Sequence, residues 1–517
     1  MNVAQVFKQV WFAPVTVLLL SLAAHAVYML PGGPNSRTAQ PRSLTWDEGT
    51  VLYDSLRMAN GEVLYRDFFE FQGPVFFELF AALFRWFDAS LPAAQGLQVL
   101  LNALSAMCLC IVVARLAGPL VAFAASVIFV TLIVPIWPYA YPHWVSLLFV
   151  HAALALLPNE RPVWWRTALA GACFGLSIAT IQSLGVAALV SCAATLVASS
   201  VAERRWRAGS IAALQLVGGA AAVIVVFAAR YASKGALGEL WWSMFEWTFT
   251  HYRGINSTTY AAFLVDHLDS NRAQPHVWRI FSQAGIVVIA ALPLVALLGG
   301  VAVLGNAALA ALRKQPQQRI DAAAVAVAVV LPLFVAHTRS DVVHLGFLSS
   351  LGFVGLAAAC ARWASLRRPT AIILCVLACA FTLNFSWKTY RSQTHPERPL
   401  TFKQDWLQRF SWASDFEAHV TPGDTAVIGF EGSAGYGHLF TNTKSAISYT
   451  YLPFDWRAES DYFSAAQWDR AAREIVERRP KVLAVDDEEF ARLVRSAPVL
   501  ATMYEQQVAL RLLRPTP

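Results

Sequence analysis

Apolar stretches long enough to cross a bilayer recur about eleven times in this 517-residue chain, near 10–30, 94–114, 119–136, 143–158, 167–183, 184–200, 210–231, 280–304, 321–337, 344–361 and 369–387. A spanning helix needs ~20 mostly apolar residues, somewhat fewer where polar ends reach for the interface. Every even-numbered stretch hands over to a short basic linker: Arg115, then Arg161 and Arg166, then Arg204, Arg205 and Arg207, then Arg313, Lys314 and Arg319, then Arg362, Arg367 and Arg368. Basic linkers stay on the cytoplasmic side. The N-terminus is therefore expected inside, with residues 31–93, the WPYAYPHW turn, residues 232–279 and HTRSDVVH outside. An odd number of spans puts the C-terminus outside as well. The weakest division is between 167–183 and 184–200, where only Thr180, Gln182 and Ser183 interrupt the apolar run.

Composition agrees with an α-helical polytopic membrane protein: 57% of residues are hydrophobic and 14% charged, and the mean hydropathy is +0.48. The net charge of +7 lies in the linkers rather than in a basic patch with interleaved aromatics, so nucleic acid is not an expected partner. All seven cysteines fall in apolar runs and read as small hydrophobes, with neither disulfide nor zinc-ribbon spacing. The first span has a second reading as a signal peptide, since Ala24-His25-Ala26 resembles a cleavage site. Trp11 and Tyr28 favour an uncleaved helix with interfacial anchors. Residues 1–394 thus form a membrane domain. From 395 to 517 charges become frequent and apolar runs shorten to strand length at Thr425–Phe430, Lys481–Val485 and Val508–Leu513. A helical pattern from Ser464 to Arg479 lies between them, predicting a small α/β domain outside the membrane.

The densest acidic cluster lies in the first outer loop, TWDEGTVLYDSLRMANGEVLYRDFFEFQGPVFFELF from Thr45 to Phe80. Thr45-x-x-Glu48 has the form of a capping box and predicts a helix to Asn60, stopped by Gly61. Acids in a first turn also complement the helix dipole. A carboxylate fixed there, at a membrane surface, equally describes a positioned general base. Arg66 and Asp67 read either as an exposed ion pair of little energetic weight or as part of a site. Gly73-Pro74 then opens a second, largely apolar helix expected at the interface or against the bundle.

An acidic pair after the first span, a G-x-x-x-Y-R-D-F segment and a Gly-Pro helix start together resemble the GT-C superfamily of integral-membrane glycosyltransferases. The similarity is greatest to the branch with protein O-mannosyltransferases and lipid A aminoarabinose transferases, and it covers residues 45 to about 90. It implies a polyprenyl-phosphate-linked sugar donor, a glycan, lipid or protein acceptor, and inverting transfer to a hydroxyl on the outer face of a bacterial inner membrane. The catalytic acid maps onto Asp47 and its acidic partner onto Glu48. Arg66, Asp67, Arg339 and His344 are candidates for the donor phosphate; Glu70, Gln72, His143, His251 and Arg253 are secondary candidates toward donor or acceptor. Several relatives carry a further acid in the second outer loop, where this chain has His143 and no carboxylate.

HTRSDVVH sets His337, Asp341 and His344 on one helical face, suited either to a divalent metal or, with Arg339, to a phosphate. GFEGSAGYG, Gly429 to Gly437, lacks nucleotide-loop spacing and reads as a turn. Two other classes compete with the transferase: a transporter or flippase, and a non-catalytic assembly subunit. Transporters carry ionisable groups mid-span; here those are mainly His25 and His151.

Overall fold

All eleven apolar segments are helical in the computed structural model of the chain, which describes residues 3–29, 46–157, 163–202, 206–252, 276–312, 322–338, 342–394, 402–429, 434–450, 465–507 and 510–514. The helices are Val3–Met29, Leu91–Ala117, Pro119–Ile128, Pro142–Leu156, Trp164–Ile178, Gln182–Ala202, Trp206–Ser233, His276–Leu312, Ala322–Thr338, Val342–Arg362 and Ala364–Thr394. Among the described residues six helical stretches have by themselves the length and hydropathy to cross a membrane: Leu91–Ala117, Pro119–Ile136, Trp206–Ser233, Ile280–Asn306, Val343–Arg362 and Ala364–Lys388. Four shorter apolar helices, Phe12–Ala26, Pro142–Leu156, Gln182–Ala198 and Ala324–Leu333, accompany them. The third span does not finish as an α-helix. Pro135 has no N–H for the ladder, and the span ends in a π turn, Phe129–Ile133, followed by a 3-10 turn, Val134–Ile136.

The doubtful break near 180 is a tight turn between the helices Trp164–Ile178 and Gln182–Ala202. Its buried carbonyls have partners from far away in sequence: Gly73 N–H donates to Thr180 (2.9 Å) and Val75 N–H to Ala179 (3.0 Å). These are N–H groups that the start of helix Pro74–Phe87 would otherwise leave unsatisfied. The approach is so close that a Cβ on Gly73 would lie 2.2 Å from the Ala179 oxygen. Glycine there is a packing requirement, and proline after it costs no hydrogen bond. The helix buries Phe76, Phe77, Phe80 and Phe84 against the protein and leaves Trp86 and Phe87 exposed.

Polar side chains inside the bundle are tied to one another. Gln98 Nε2 donates to Asn102 Oδ1 (2.8 Å), and Ser105 Oγ lies 2.9 Å from His151 Nδ1, whose Nε2 is 3.1 Å from Ser350 Oγ. His25 Nδ1 is 3.1 Å from Ser21 Oγ. The mid-span histidines on which a transporter reading would rest therefore both contact serine hydroxyls.

Near the C-terminus, β1 (Thr425–Ile428), β2 (Lys444–Ser445), β3 (Val482–Ala484), β4 (Tyr504–Gln507) and β5 (Leu510–Leu513) form one sheet in the order β2-β1-β3-β5-β4. β2, β1 and β3 are parallel, with Ala426 opposite both Ser445 and Val482; β5 runs antiparallel to β3 and β4. The expected helix spans Ala465–Arg478. β2 and β4 were not among the predicted strands. This domain does not keep its core to itself: Trp406, Trp412, Phe416, Ile428 and Tyr436 pack in one cluster with Leu52, Leu56, Phe68, Phe76 and Phe80 of the first loop.

Candidate functional site

The acidic pair opens helix Trp46–Ala59, which ends at Gly61 with φ +99°, where glycine is free of strain. Thr45 lies outside the described residues. Glu48 is fully buried and bound on both oxygens: Ala140 N–H donates to Oε1 (2.8 Å) and Tyr436 O–H to Oε2 (2.6 Å). Gln95 adds a third hydrogen bond. A capping role is thus not what defines Glu48. It joins the first loop, the WPYAYPHW turn and the C-terminal domain. Burial pushes its carboxyl up to about 7, against the opposing pull of Tyr436, Ala140 and Gln95. Asp47, one residue earlier, is only partly buried.

The segment GFEGSAGYG is not merely a turn. After β1 its last residues begin a helix, Ala434–Thr441, that lies directly on helix Trp46–Ala59. A Cβ on Gly435 would fall 2.2 Å from the Gly49 backbone, and one on Gly49 would fall 2.8 Å from the Tyr436 ring. Glycine at both crossing positions lets the backbones touch and brings the Tyr436 hydroxyl to Glu48.

One to two turns further along, Tyr53 and Asp54 contact the same domain, and Arg57 is held within the first loop. Tyr53 Oη accepts from Ser445 N–H (2.6 Å), and its ring stacks on His438 at 4.6 Å. Thr450 O–H donates to Asp54 Oδ1. Arg57 is buried, pairs with Glu62 at 2.7 Å and sits 4.4 Å above the Phe68 ring. Burial, then the charge of Glu70, hold the Asp54 carboxyl well above its ordinary range. Glu70 is itself buried; Phe71 N–H (2.7 Å) and Gln72 N–H (2.9 Å) donate to its Oε1. Burial raises it to about 7, and the charge of Asp47 adds to the rise. Asp47, Asp54 and Glu70 therefore share one acidic neighbourhood, in which Asp47 alone of the three is partly exposed.

The other sequence candidates divide. Arg66 forks onto its neighbour Asp67 (2.8 and 2.9 Å) and donates to the Lys234 carbonyl, while Asp67 Oδ2 accepts from Val63 N–H. The Arg66 hydrogen bond is the main reason that the Asp67 carboxyl lies below its usual range. This pair clamps the turn, with the Arg66 side chain still about half exposed. Gln72 accepts Tyr65 O–H on its carbonyl (2.7 Å), and its buried side-chain oxygen has no partner among the described residues. His143 and His344, two hundred residues apart, meet edge to face at 5.2 Å, with Phe347 stacked 4.8 Å from His143. His143 follows Ala140 by three residues, so the Glu48–Ala140 bond anchors the turn that carries this pair. Arg253, Arg339 and Asp341 lie outside the described residues, and the side chains of His251 and His337 are not described. The expected His337, Asp341 and His344 metal set is therefore outside what the structure describes. Among the described residues no three His, Cys, Asp or Glu gather as a metal centre.

Tyr53, Asp54, Arg57, Tyr436, His438 and Thr450 were not among the sequence candidates. Asp54 carried a signal, since it follows Asp47 by two helical turns on the same face. Tyr436 and Thr450 carried none, because their partners lie 388 and 396 residues away.

No family model matches this sequence, and no curated protein sequence matches it. Solved structures do. ArnT from Cupriavidus metallidurans in the apo state aligns with a TM-score of 0.54 at 13% identity, over 97% of this chain and 99% of that one. The same protein bound to undecaprenyl phosphate gives 0.52 at 12%, over 83% and 85%. The archaeal oligosaccharyltransferase AglB from Archaeoglobus fulgidus, in complex with an inhibitory peptide and a dolichol-phosphate, gives 0.51 at 11%, over 99% and 75%. Identities this low carry the architecture and no more: the chain has a GT-C-like fold.

Proposed function

We propose that this protein is a membrane glycosyltransferase that moves a sugar from a polyprenyl-phosphate-linked donor to an acceptor hydroxyl, with inversion, on the outer face of a bacterial plasma membrane. The observation that carries the reading is the position of Asp47. It opens a helix locked by Glu48, Tyr53 and Asp54 to the C-terminal domain, and it remains partly exposed while those neighbours are buried. A carboxylate so held is suited to take a proton from an incoming hydroxyl. The acceptor oxygen then bonds to the anomeric carbon as the carbon–oxygen bond to lipid phosphate breaks, and the phosphate leaves with the bonding pair. His344, which meets His143 edge to face, Arg339 and Arg66 are the side chains proposed to hold that phosphate. The solved structures of similar fold include one bound to undecaprenyl phosphate and one bound to dolichol-phosphate, which supports a donor of this class.

The test is incubation of purified protein with a panel of polyprenyl-phosphate sugars and hydroxyl acceptors. Release of lipid phosphate with one donor supports the assignment. Failure across the panel, with intact protein, overturns it.

A further inference from the structure

The buried ring of contacts around Glu48 holds a residue for which no role in the first loop's chemistry was evident. Tyr436 belongs to the C-terminal domain, yet its ring is fully buried under Gly49 and its hydroxyl lies 2.6 Å from Glu48. A tyrosine in that core could have been packed as a phenylalanine: Phe440 stacks on it at 5.6 Å and Trp406 and Ile428 lie in the same cluster. Instead the hydroxyl is spent on a carboxylate adjacent to the proposed base. The Gly49–Gly435 crossing fixes the backbone on either side of this bond. It therefore fixes the first helical turn, which includes Asp47.

We infer that Tyr436 is a positioning residue: through Glu48 it sets the place and charge of the acidic pair, so the C-terminal domain completes the active site. The catalytic meaning of this rests on the transferase reading above; the physical coupling does not. The groups that hydrogen-bond Glu48 include the Tyr436 hydroxyl, the Gln95 amide and the Ala140 N–H. Of these, only Tyr436 comes from the C-terminal domain. Its hydrogen bond favours ionised Glu48, so removing it raises the pH at which Glu48 loses its proton.

The test is Tyr436→Phe, which keeps the ring and removes one oxygen. With an active donor, kcat should fall about tenfold or more while KM for the donor stays within about twofold, since a shifted catalytic group costs rate before it costs binding. The acidic limb of the pH–kcat profile should move upward. A second readout needs no activity. Ionisation of buried Glu48 costs the folded state, so Tm falls as pH rises from 5 to 8, and should fall further in Tyr436→Phe than in the wild type. In a Glu48→Gln background the two should not differ. Wild-type kcat and an unmoved acidic limb in Tyr436→Phe overturn the inference. So does an equal Tm slope in the presence of Glu48. If the wild type transfers no sugar from any donor, the transferase reading fails, and the Tm comparison still decides the coupling.

Discussion

Asp47, Glu48 and Asp54 lie within two turns of one helix, Glu70 lies in the loop that follows it, and their surroundings separate them. Asp47→Asn is expected to leave Tm unchanged and lower transfer by ~100-fold or more, the usual lower range for loss of a general base; near-wild-type turnover would remove Asp47 from the mechanism. Glu70 supplies a pH prediction. Its ordinary value is 4.5 and burial raises it to about 7 in the folded chain. Below about pH 4.5 the group is protonated folded or unfolded and makes no difference. As pH rises toward 7 the unfolded chain ionises first, so stability is lost across that window. Glu70→Gln keeps an oxygen for the Phe71 and Gln72 N–H groups and should flatten the fall in Tm between pH 5 and 8. An unchanged slope would mean that Glu70 does not titrate there. The sequence resemblance put the catalytic role on Asp47 and made Glu48 its partner, but chain position cannot show that one is half open and the other sealed. What seals Glu48 is Tyr436, and nothing near residue 48 announces it.

At the scale of elements, apolar length announced the spanning helices, and proline and glycine punctuated the loops where Gly61 and Gly73-Pro74 stand. The elements that escaped were short. β2 is two residues long and β4 is Tyr504–Gln507, with three exposed polar side chains and no alternation to read. Helix Ala434–Thr441 contains two glycines in eight residues and looked like a turn; Gly435 packs against Gly49, and Gly437 against Ile428 and Trp406. Glycines can be ranked by what surrounds them. Gly73→Ala would drive a methyl into the Ala179 carbonyl and should destabilise by about 1–3 kcal/mol, as overpacking does. Gly96→Ala, in helix Leu91–Ala117 with nothing within 4 Å of the added carbon, should be neutral or stabilising by up to about 1 kcal/mol. Thermal or denaturant unfolding of the two variants in detergent separates them, and equal stabilities would contradict the tight approach at Gly73.

For the molecule as a whole, the basic linkers predict the sidedness. In a background without the native cysteines, cysteines placed at Ser43 and Ser460 should react with an impermeant thiol reagent from the same outer side, and one at Ser210 should not. Reaction of Ser43→Cys and Ser460→Cys from opposite sides would require an odd number of crossings between them. The core that joins the first loop to the C-terminal domain also imposes an order of events on synthesis. The first loop leaves the ribosome long before Tyr436 and Thr450 exist. At the usual 5–20 residues per second, roughly 20–80 s pass before the bonds 388 and 396 residues apart can close. Throughout that interval Glu48 and Asp54 wait with those partners unmade, so the acidic site is assembled last, and a ribosome that stalls after the final span leaves behind an inserted bundle without its chemistry.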